Sequence, residues 1–572
     1  MNVKDLRSWL HQRWPKSVWL REMGILGLAL LLLCLGSPNR LLHWYPAALT
    51  GIALLWGVCW HLPLRAQVGR VFGVWLVMNT FTFLPDLLSV EVLRPWEILG
   101  GIVVAPLIPL FYTTATLSSF WLSRGIPVWV RPLGMAAVWT AWDSLMGVLW
   151  FPIPFHWGSL LFDWPLAIQI ADITSIWGVT FFAVLVNALV VVAVKEWPLA
   201  RPIQTLLPSG GIVGLVLIYG SIQLSQYDGL MASQLKDPAA GAFRVGAIQQ
   251  VAWLETDRSW GYRAARYQEL FDLSRQGVAE GAELILWPEG VLRAQFANTS
   301  LEPYILNPMR QILPPQGGLL LGTTEPDPRT ATAPPDQQQF INSALLYDAQ
   351  GSLVDRFGKQ WIFPYFESQR YTPSPDGYRP LYLPQFGHLG VNICLESVLP
   401  GPSRQLVRAG ATSLITISDD SWFGNSNWPM LHGQLSVFRA VENRRSTVFV
   451  NNTGGNLIIN PNGRIQQRGK IFERTVVVGT MLPQTQITPA TRWGDWFAWL
   501  VFGGNCCVGV VEVDASGLVP DHLTGIPLWL NRVTLGAIAL FHAVKSSHLV
   551  KLAPFFGLCS VVLRTPSIGS IA

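Results

Sequence analysis

Seven apolar runs fill the first 224 residues: Gly24–Gly36, Leu41–Trp60, Val71–Leu84, Ile98–Leu122, Leu133–Trp150, Ile176–Val194 and Leu206–Leu224. Runs of this kind, separated by short polar loops, predict helices that cross a membrane. The basic stretch with Lys4, Arg7, Arg13, Lys16 and Arg21 precedes the first run as in a signal peptide. No small-residue cleavage site follows it, so the first run reads as an uncleaved helix.

The pattern changes at Phe243. Up to about Thr485, short β-type runs alternate with amphipathic stretches: Phe243–Ile248, Leu284–Trp287, Leu345–Tyr347, Leu353–Arg356, Leu389–Ile393, Ser413–Ile417, Val448–Asn451 and Leu457–Ile459. These predict strands, and the polar stretch Arg258–Ala279 predicts a helix. Asp348-Ala-Gln-Gly and Pro461-Asn-Gly mark turns. After Arg492 an aromatic belt and a short apolar run predict an eighth helix. The expected organisation is therefore a seven-helix membrane domain over 1–224, a mixed α/β domain over 225–490, an eighth helix over 491–511 and a tail over 512–572. The tail's runs, Val533–Val544 and Leu549–Leu563, are too short to assign by pattern.

Composition agrees with the helices: of 572 residues, 50% are hydrophobic, 13% are charged and 27 are tryptophan. The formal net charge of +5 has its positive residues in short loops, which lends nothing to a nucleic-acid partner. Lysine and arginine orient the chain. Beyond the five N-terminal ones, alternate loops carry Arg65 and Arg70, Arg124 and Arg131, and Lys195 and Arg201, whereas the opposite loops hold only Arg40 and Arg94. The N-terminus is thus inside, and the α/β domain, after an odd number of spans, is outside. The aromatic connection Phe151-Pro-Ile-Pro-Phe-His-Trp then lies at the outer interface. Asp143, within the fifth span, reads as a functional intramembrane carboxylate, as a helix-packing hydrogen bond or as a group near the interface.

Of six cysteines, five lie in or beside apolar stretches, and only Cys394 belongs to the α/β region, so it cannot bridge within that region. The run Gly390-Val-Asn-Ile-Cys-Leu-Glu ends a strand on a thiol, which fits a nucleophile on a turn as well as a small buried hydrophobe. Leu284-Ile-Leu-Trp-Pro-Glu-Gly ends another strand on Glu289, a candidate general base or a solvated loop carboxylate. Lys359 sits in the aromatic, charge-poor stretch that ends at Glu367, where an ammonium suits a developing oxyanion or simply closes a hairpin.

The order Trp-Pro-Glu-Gly, lysine, Asn-Ile-Cys-Leu-Glu resembles the nitrilase superfamily, and in particular its membrane-anchored branch, the apolipoprotein N-acyltransferases. Val245-Gly-Ala-Ile-Gln-Gln, Phe340-Ile-Asn-Ser-Ala, Ile417-Ser-Asp-Asp-Ser-Trp-Phe-Gly, Arg439-Ala-Val-Glu-Asn-Arg-Arg and Asn451-Asn-Thr-Gly carry the same resemblance. It implies an αββα sandwich beside a polytopic α-helical domain, with Glu289 as base, Lys359 as oxyanion and thiolate stabiliser, and Cys394 as nucleophile. Glu367 and Glu396 become supporting carboxylates, and the Leu395 N–H a second oxyanion donor. Trp253, Trp361, Trp422 and Phe423 become candidate walls for acyl chains. The implied reaction moves an acyl chain from a phospholipid through a Cys394 thioester to the N-terminal amine of a diacylglyceryl apolipoprotein. It uses no metal or diffusible cofactor, and runs in a monomer on the outer side of a bacterial inner membrane. Two departures stand out: Gln360 replaces a basic residue, and Phe366 replaces a glycine in the Pro-Tyr-Phe-Glu stretch. The competing readings are a membrane-tethered amidase or nitrile-type hydrolase, and a binding or transport protein with an inactive outer domain.

Overall fold

A computed structural model of the chain describes residues 16–37, 42–89, 106–146, 156–196, 202–251, 259–292, 296, 299–363, 367–424 and 426–502. Trp253, Phe366, residues 98–105 of the fourth apolar run, residues 147–155 at the end of the fifth run and in the aromatic connection, residues 503–511 of the expected eighth helix and the 512–572 tail lie outside the described residues. Helices lie on the described parts of the seven apolar runs: α1 Lys16–Gly36, α2 Gly51–Cys59, α3 Leu64–Ser89, α4 Leu107–Leu122, α5 Arg131–Met146, α6 Ala171–Lys195 and α7 Pro202–Gln234. The second run is divided, with a short turn of helix over Tyr45–Ala48 ahead of α2. Among the described residues, Ala171–Lys195 and Leu207–Gln234 are long and apolar enough to cross a membrane.

Large aromatic side chains form the centre of this helical part. Trp56, Trp75, Trp139, Trp157 and Tyr112 are fully buried, with Trp75 stacked on Tyr112 at 4.9 Å and Trp139 edge-on to Trp157 at 5.9 Å between ring centroids. Asp143 is buried among them and accepts hydrogen bonds from Thr180 Oγ1 at 2.7 Å and the Trp157 N–H at 3.2 Å. Of the sequence readings of Asp143, the structure supports the packing hydrogen bond, which ties α5 to α6 and to the 156–164 connection.

The α/β part holds two six-stranded sheets. One runs β12-β1-β2-β3-β4-β5 and the other β11-β10-β9-β8-β7-β6. The strands are β1 Phe243–Gln249, β2 Leu284–Leu286, β3 Gly318–Pro326, β4 Phe340–Asp348, β5 Leu353–Gly358, β6 Leu381–Leu383, β7 Gly387–Ile393, β8 Ser413–Ser418, β9 Thr447–Asn451, β10 Leu457–Ile459, β11 Ile465–Arg468 and β12 Thr475–Met481. Each sheet is built on three parallel strands, β1-β2-β3 and β7-β8-β9, flanked by antiparallel ones. Parallel pairing needs crossovers, and helices supply them. They are α8 Trp260–Ala279, α9 Leu301–Ile312, α10 Pro400–Arg408 and α11 Trp428–Asn443. Buried on both faces, the parallel strands read as continuous apolar runs such as Leu284-Ile-Leu and Ser413-Leu-Ile-Thr-Ile.

Val245, Ala247, Leu286, Leu320 and Leu346 from the first sheet meet Val391, Ile393, Ile415, Val448 and Ile458 from the second in one core. Helices α8 and α9 cover the outer face of the first sheet, with Leu270, Phe271, Ile305 and Met309 against Ile248, Ile285 and Leu319. Beyond the second sheet, α11 is buried on all sides: Leu431, Leu435, Phe438 and Val441 join Phe449 and Ile459 of the sheet and residues of the helical part in a single apolar cluster. The four layers are helix, sheet, sheet, helix, with the seven apolar helices packed outside the last one.

Polar links pin that contact. Helix α6 is interrupted at Ser175, at φ 60° and ψ −172°. Glu442 of α11 accepts from Ser175 Oγ at 2.6 Å, from the Ile176 N–H at 2.9 Å and from Arg439 Nη2 at 3.0 Å, capping the renewed helix. Arg444 donates to Asp172 Oδ2 at 2.5 Å and to Gln169 Oε1 at 2.7 Å. Arg404 donates to Asp495 Oδ1 at 2.8 Å, which also accepts from Trp177 Nε1 at 3.0 Å.

Candidate active site

Glu289, Lys359 and Cys394 lie just after β2, β5 and β7 respectively, and Asp419 and Asp420 follow β8. Placing chemistry at the carboxyl ends of strands is the usual habit of parallel α/β sheets. The Glu289 turn depends on two glycines. Gly290 adopts φ +64°, and a Cβ on Gly322 of β3 would stand 2.6 Å from both Glu289 Cα and Pro288 O. Only a bare backbone lets the turn rest on β3.

Glu289 is buried and accepts from Asn342 Nδ2 at 2.6 Å and from the Asp419 N–H at 3.0 Å. Burial raises its carboxyl to about 7, against the lowering influence of Lys359. Lys359, 0% exposed, donates from Nζ to Glu367 Oε1 at 2.6 Å. Burial opposes its charge, but Glu367, Cys394 and Glu289 together drive the ammonium above its usual range, so it stays protonated. Glu367 completes the bend by accepting the Phe363 N–H at 2.8 Å.

Cys394 has φ +55°, the left-handed region in which few non-glycine residues sit. It opens a tight helical turn over Cys394–Ser397, and its thiol is free. Burial and the Glu289 charge push the thiol up while Lys359 pulls it down. Each of the three side chains thus stands in the electrostatic field of its neighbours, the juxtaposition expected from a nucleophile, a base and an oxyanion stabiliser.

Glu396 is bonded to the chain segments on either side of that centre. It is 0% exposed, and its Oε1 accepts from the Gln360 and Trp361 N–H groups at 2.9 and 3.0 Å and from Tyr378 at 3.2 Å, while Oε2 accepts the Ile393 N–H at 2.9 Å. Its carboxylate clamps the segment after Lys359 to the strand end before Cys394. Gln360 folds back to Gly358 O at 2.8 Å, so its side chain is spent locally. Leu395 is buried as the second residue of the Cys394 turn, a position whose N–H has no intrahelical acceptor.

Of the proposed acyl-chain walls, Trp361 and Phe423 are half-buried and pack against the apolar cluster of the helical part, together with Phe363, Leu395 and Trp428. Phe423 stacks on Trp428 at 4.2 Å. Trp422 belongs to the turn over Asp420–Phe423. Cys394 touches both this cluster and the sandwich core. His432, absent from the sequence reading, also belongs here, together with Asn342 and Asp420, which that reading carried only inside longer motifs. Asn342 holds Glu289, and the buried pair His432 and Asp420 lies behind Cys394, with His432 Nδ1 3.1 Å from Asp420 Oδ1 and Nε2 3.2 Å from the Cys394 carbonyl oxygen. The motif Ser-Asp-Asp-Ser marks Asp420, but nothing in the pattern marks a histidine twelve residues further on as its partner.

The carbon-nitrogen hydrolase family model matches residues 244–487, and the model of the apolipoprotein N-acyltransferase N-terminal domain matches residues 25–189. Curated relatives named apolipoprotein N-acyltransferase include one from Geobacter metallireducens, 26% identical over 78% of this chain and 85% of its own length. Others come from Azotobacter vinelandii, 27% identical over 79% and 88%, and from Pseudomonas aeruginosa, 25% identical over 84% and 94%. Among solved structures, a carbon-nitrogen hydrolase from Helicobacter pylori G27 aligns at 15% identity and a TM-score of 0.35, over 45% of this chain and 94% of that one. An amidase from Nesterenkonia sp. aligns at 18% identity and a TM-score of 0.34, over 44% and 96%. With the apolipoprotein N-acyltransferase N-terminal domain model and the carbon-nitrogen hydrolase model matched in order along one polypeptide, and relatives named apolipoprotein N-acyltransferase aligned along most of its length, the chain belongs to the apolipoprotein N-acyltransferase family of the nitrilase superfamily.

Proposed function

We propose that the chain is a polytopic membrane enzyme that transfers an acyl chain from a phospholipid to the N-terminal amine of a diacylglyceryl lipoprotein. One observation carries the reading: Cys394, with Glu289 and Lys359 around it, sits where the apolar cluster of the seven-helix part meets the sandwich core. A nucleophile at that boundary is open to an acyl chain arriving from the lipid side, whereas a hydrolase for small amides has no use for such a wall.

In the first half-reaction Glu289 takes the Cys394 thiol proton, and the thiolate attacks the ester carbonyl of the phospholipid. Lys359 Nζ and the Leu395 N–H hold the oxyanion. As it collapses, the C–O bond breaks, Glu289 returns the proton to the leaving alkoxide, and a lysophospholipid departs. In the second half-reaction the lipoprotein amine attacks the thioester, Glu289 removes a proton from the nitrogen, and the C–S bond breaks. The proton passes to the thiolate and the enzyme is restored. Glu367 keeps Lys359 in place, and Glu396 keeps the lysine and cysteine segments in register.

The domain plan that goes with this reading has seven spans over 1–224, an outer catalytic domain over 225–490, and an eighth span over 491–511, acting as a monomer in the inner membrane. The family match, the helices on the seven apolar runs and the skewed lysine and arginine of the loops support it. Incubating the purified protein with a phospholipid carrying a labelled acyl chain tests the first half-reaction. An adduct released by hydroxylamine is expected on the wild type and absent from Cys394→Ala; no adduct, or an equal one on the variant, contradicts the transferase.

A further inference from the structure

The peptide that joins Cys394 to Leu395 is held from behind by two side chains. The Cys394 carbonyl oxygen accepts from Ser397 Oγ at 3.0 Å and lies 3.2 Å from His432 Nε2. Ser397 Oγ is itself 3.0 Å from the same nitrogen. His432 and Asp420 are both 0% exposed. The Asp420 carboxylate is fully engaged: Oδ1 accepts from Ser418 Oγ at 2.9 Å, Oδ2 accepts from Asn451 Nδ2 at 2.6 Å, and His432 Nδ1 stands 3.1 and 3.2 Å from the two oxygens.

The proton positions on His432 are assigned from its partners. If Nδ1 lacked a proton, its lone pair would face a carboxylate. If Nε2 lacked one, its lone pair would face the Cys394 carbonyl. The contacts are complementary with an N–H at Nδ1 facing Asp420 and an N–H at Nε2 facing the Cys394 carbonyl.

That carbonyl and the Leu395 N–H belong to one rigid peptide plane. Hydrogen bonds donated to the carbonyl therefore fix the direction of the N–H, and they also polarise it, since bonds in series strengthen one another. The geometry assigns to His432, backed by Asp420 and assisted by Ser397, the part of a positioning group that aims the Leu395 N–H at the oxyanion. The same arrangement holds Cys394 in its left-handed conformation. The neighbouring residue Asp419 donates its N–H to Glu289, so one short segment after β8 sets both the base and the donor. The inference rests on the acyl-transfer reading, and names a group that acts on that chemistry through the backbone without touching substrate.

The experiment compares two reactions of the same thiol in the full-length, detergent-solubilised protein. Thioester formation from a phospholipid with a labelled acyl chain passes through an oxyanion. Alkylation by iodoacetamide displaces iodide directly and forms none. In Ser397→Ala and in His432→Leu, single-turnover acylation is expected to fall about 10- to 100-fold, less than or comparable with the loss of an entire oxyanion donor. The phospholipid concentration giving half the maximal rate stays near the wild-type value, and so does the alkylation rate. Acylation unchanged in Ser397→Ala, or acylation and alkylation falling together, overturns the assignment. Should His432→Leu fail to fold, Ser397→Ala decides alone. A wild type that alkylates but never acylates contradicts the transferase reading itself, an outcome distinct from failure of the variants.

Discussion

Cys394 holds a backbone conformation that costs an ordinary residue about 1–2 kcal/mol. It is stabilised by the Glu396 clamp on Ile393 and the hydrogen bonds on the Cys394 carbonyl. Strain kept at one residue by buried partners is a mark of a reactive site. Glu289 adds a pH dependence. Its carboxyl is held near 7, above the ordinary 4.5, by burial. As a base it must be ionised, so single-turnover acylation should rise with pH through about 7 and then level off, and Glu289→Gln should remove the rate along with the profile. Linkage gives an independent check. Between 4.5 and about 7 the folded protein keeps a proton that the unfolded chain has lost, so the wild type loses stability as pH rises across that window. The melting temperature of Glu289→Gln relative to wild type should therefore increase from pH 5 to pH 8; a constant difference contradicts a raised carboxyl. Glu289 and Cys394 were legible as candidates because each ends an apolar run with a chemically distinct residue, and Lys359 because it stands in an aromatic, charge-poor stretch. His432 was not, because a buried polar residue inside a helix looks like any other until its partner is placed beside it, and Asn342 and Asp420 stood in the sequence only as members of longer motifs.

At the scale of elements, the parallel strands β1, β2, β7, β8 and β9 announce themselves as apolar, β-branched runs. The alternation passes over β3, whose run is broken by Gly322, and over β11, whose Ile465-Gln-Gln-Arg carries almost no apolar signal. It also passes over β6 and β12, both flanking strands, and over α9, α10 and α11. Helix α11 is the instructive case. Its residues Trp428–Asn443 are buried all round, Arg439, His432 and Glu442 included, so it shows no amphipathic stripe for the eye to find. It bridges the sandwich and the apolar helices, and Arg444 directly after it is paired with Asp172 of α6. Removing one partner of a buried pair leaves a bare charge. Arg444→Ala is expected to destabilise the protein by about 3–5 kcal/mol, seen as a lower melting temperature in detergent, whereas an unchanged melting temperature would show that the pair is not part of the lock.

At the scale of the whole molecule, the hydropathy of 1–224 already separates a helical part from an α/β part, but not how they join. The join is made by charged and polar side chains far apart in sequence, Glu442 with Ser175, Arg444 with Asp172 and Arg404 with Asp495, and such pairings leave no periodic trace. Their effect is to bring the Cys394 turn and the aromatic residues around it against the apolar cluster of the helices. The orientation argued from the loops places the sandwich outside. A membrane-impermeant maleimide should label Gln350→Cys, on the exposed β4–β5 hairpin, in intact spheroplasts; labelling only after permeabilisation would reverse the topology. The central claim is that an acyl chain crosses from lipid to lipoprotein by way of Cys394, and the fate of the thioester tests it most directly. With the acyl-enzyme formed from labelled phospholipid, a diacylglyceryl peptide with a free N-terminal amine is added, and N-acylated peptide and free fatty acid are measured over time. The account predicts that the label passes to the peptide amine much faster than water releases it as fatty acid; release as fatty acid at the same rate with and without the peptide would make the protein a hydrolase and contradict the account.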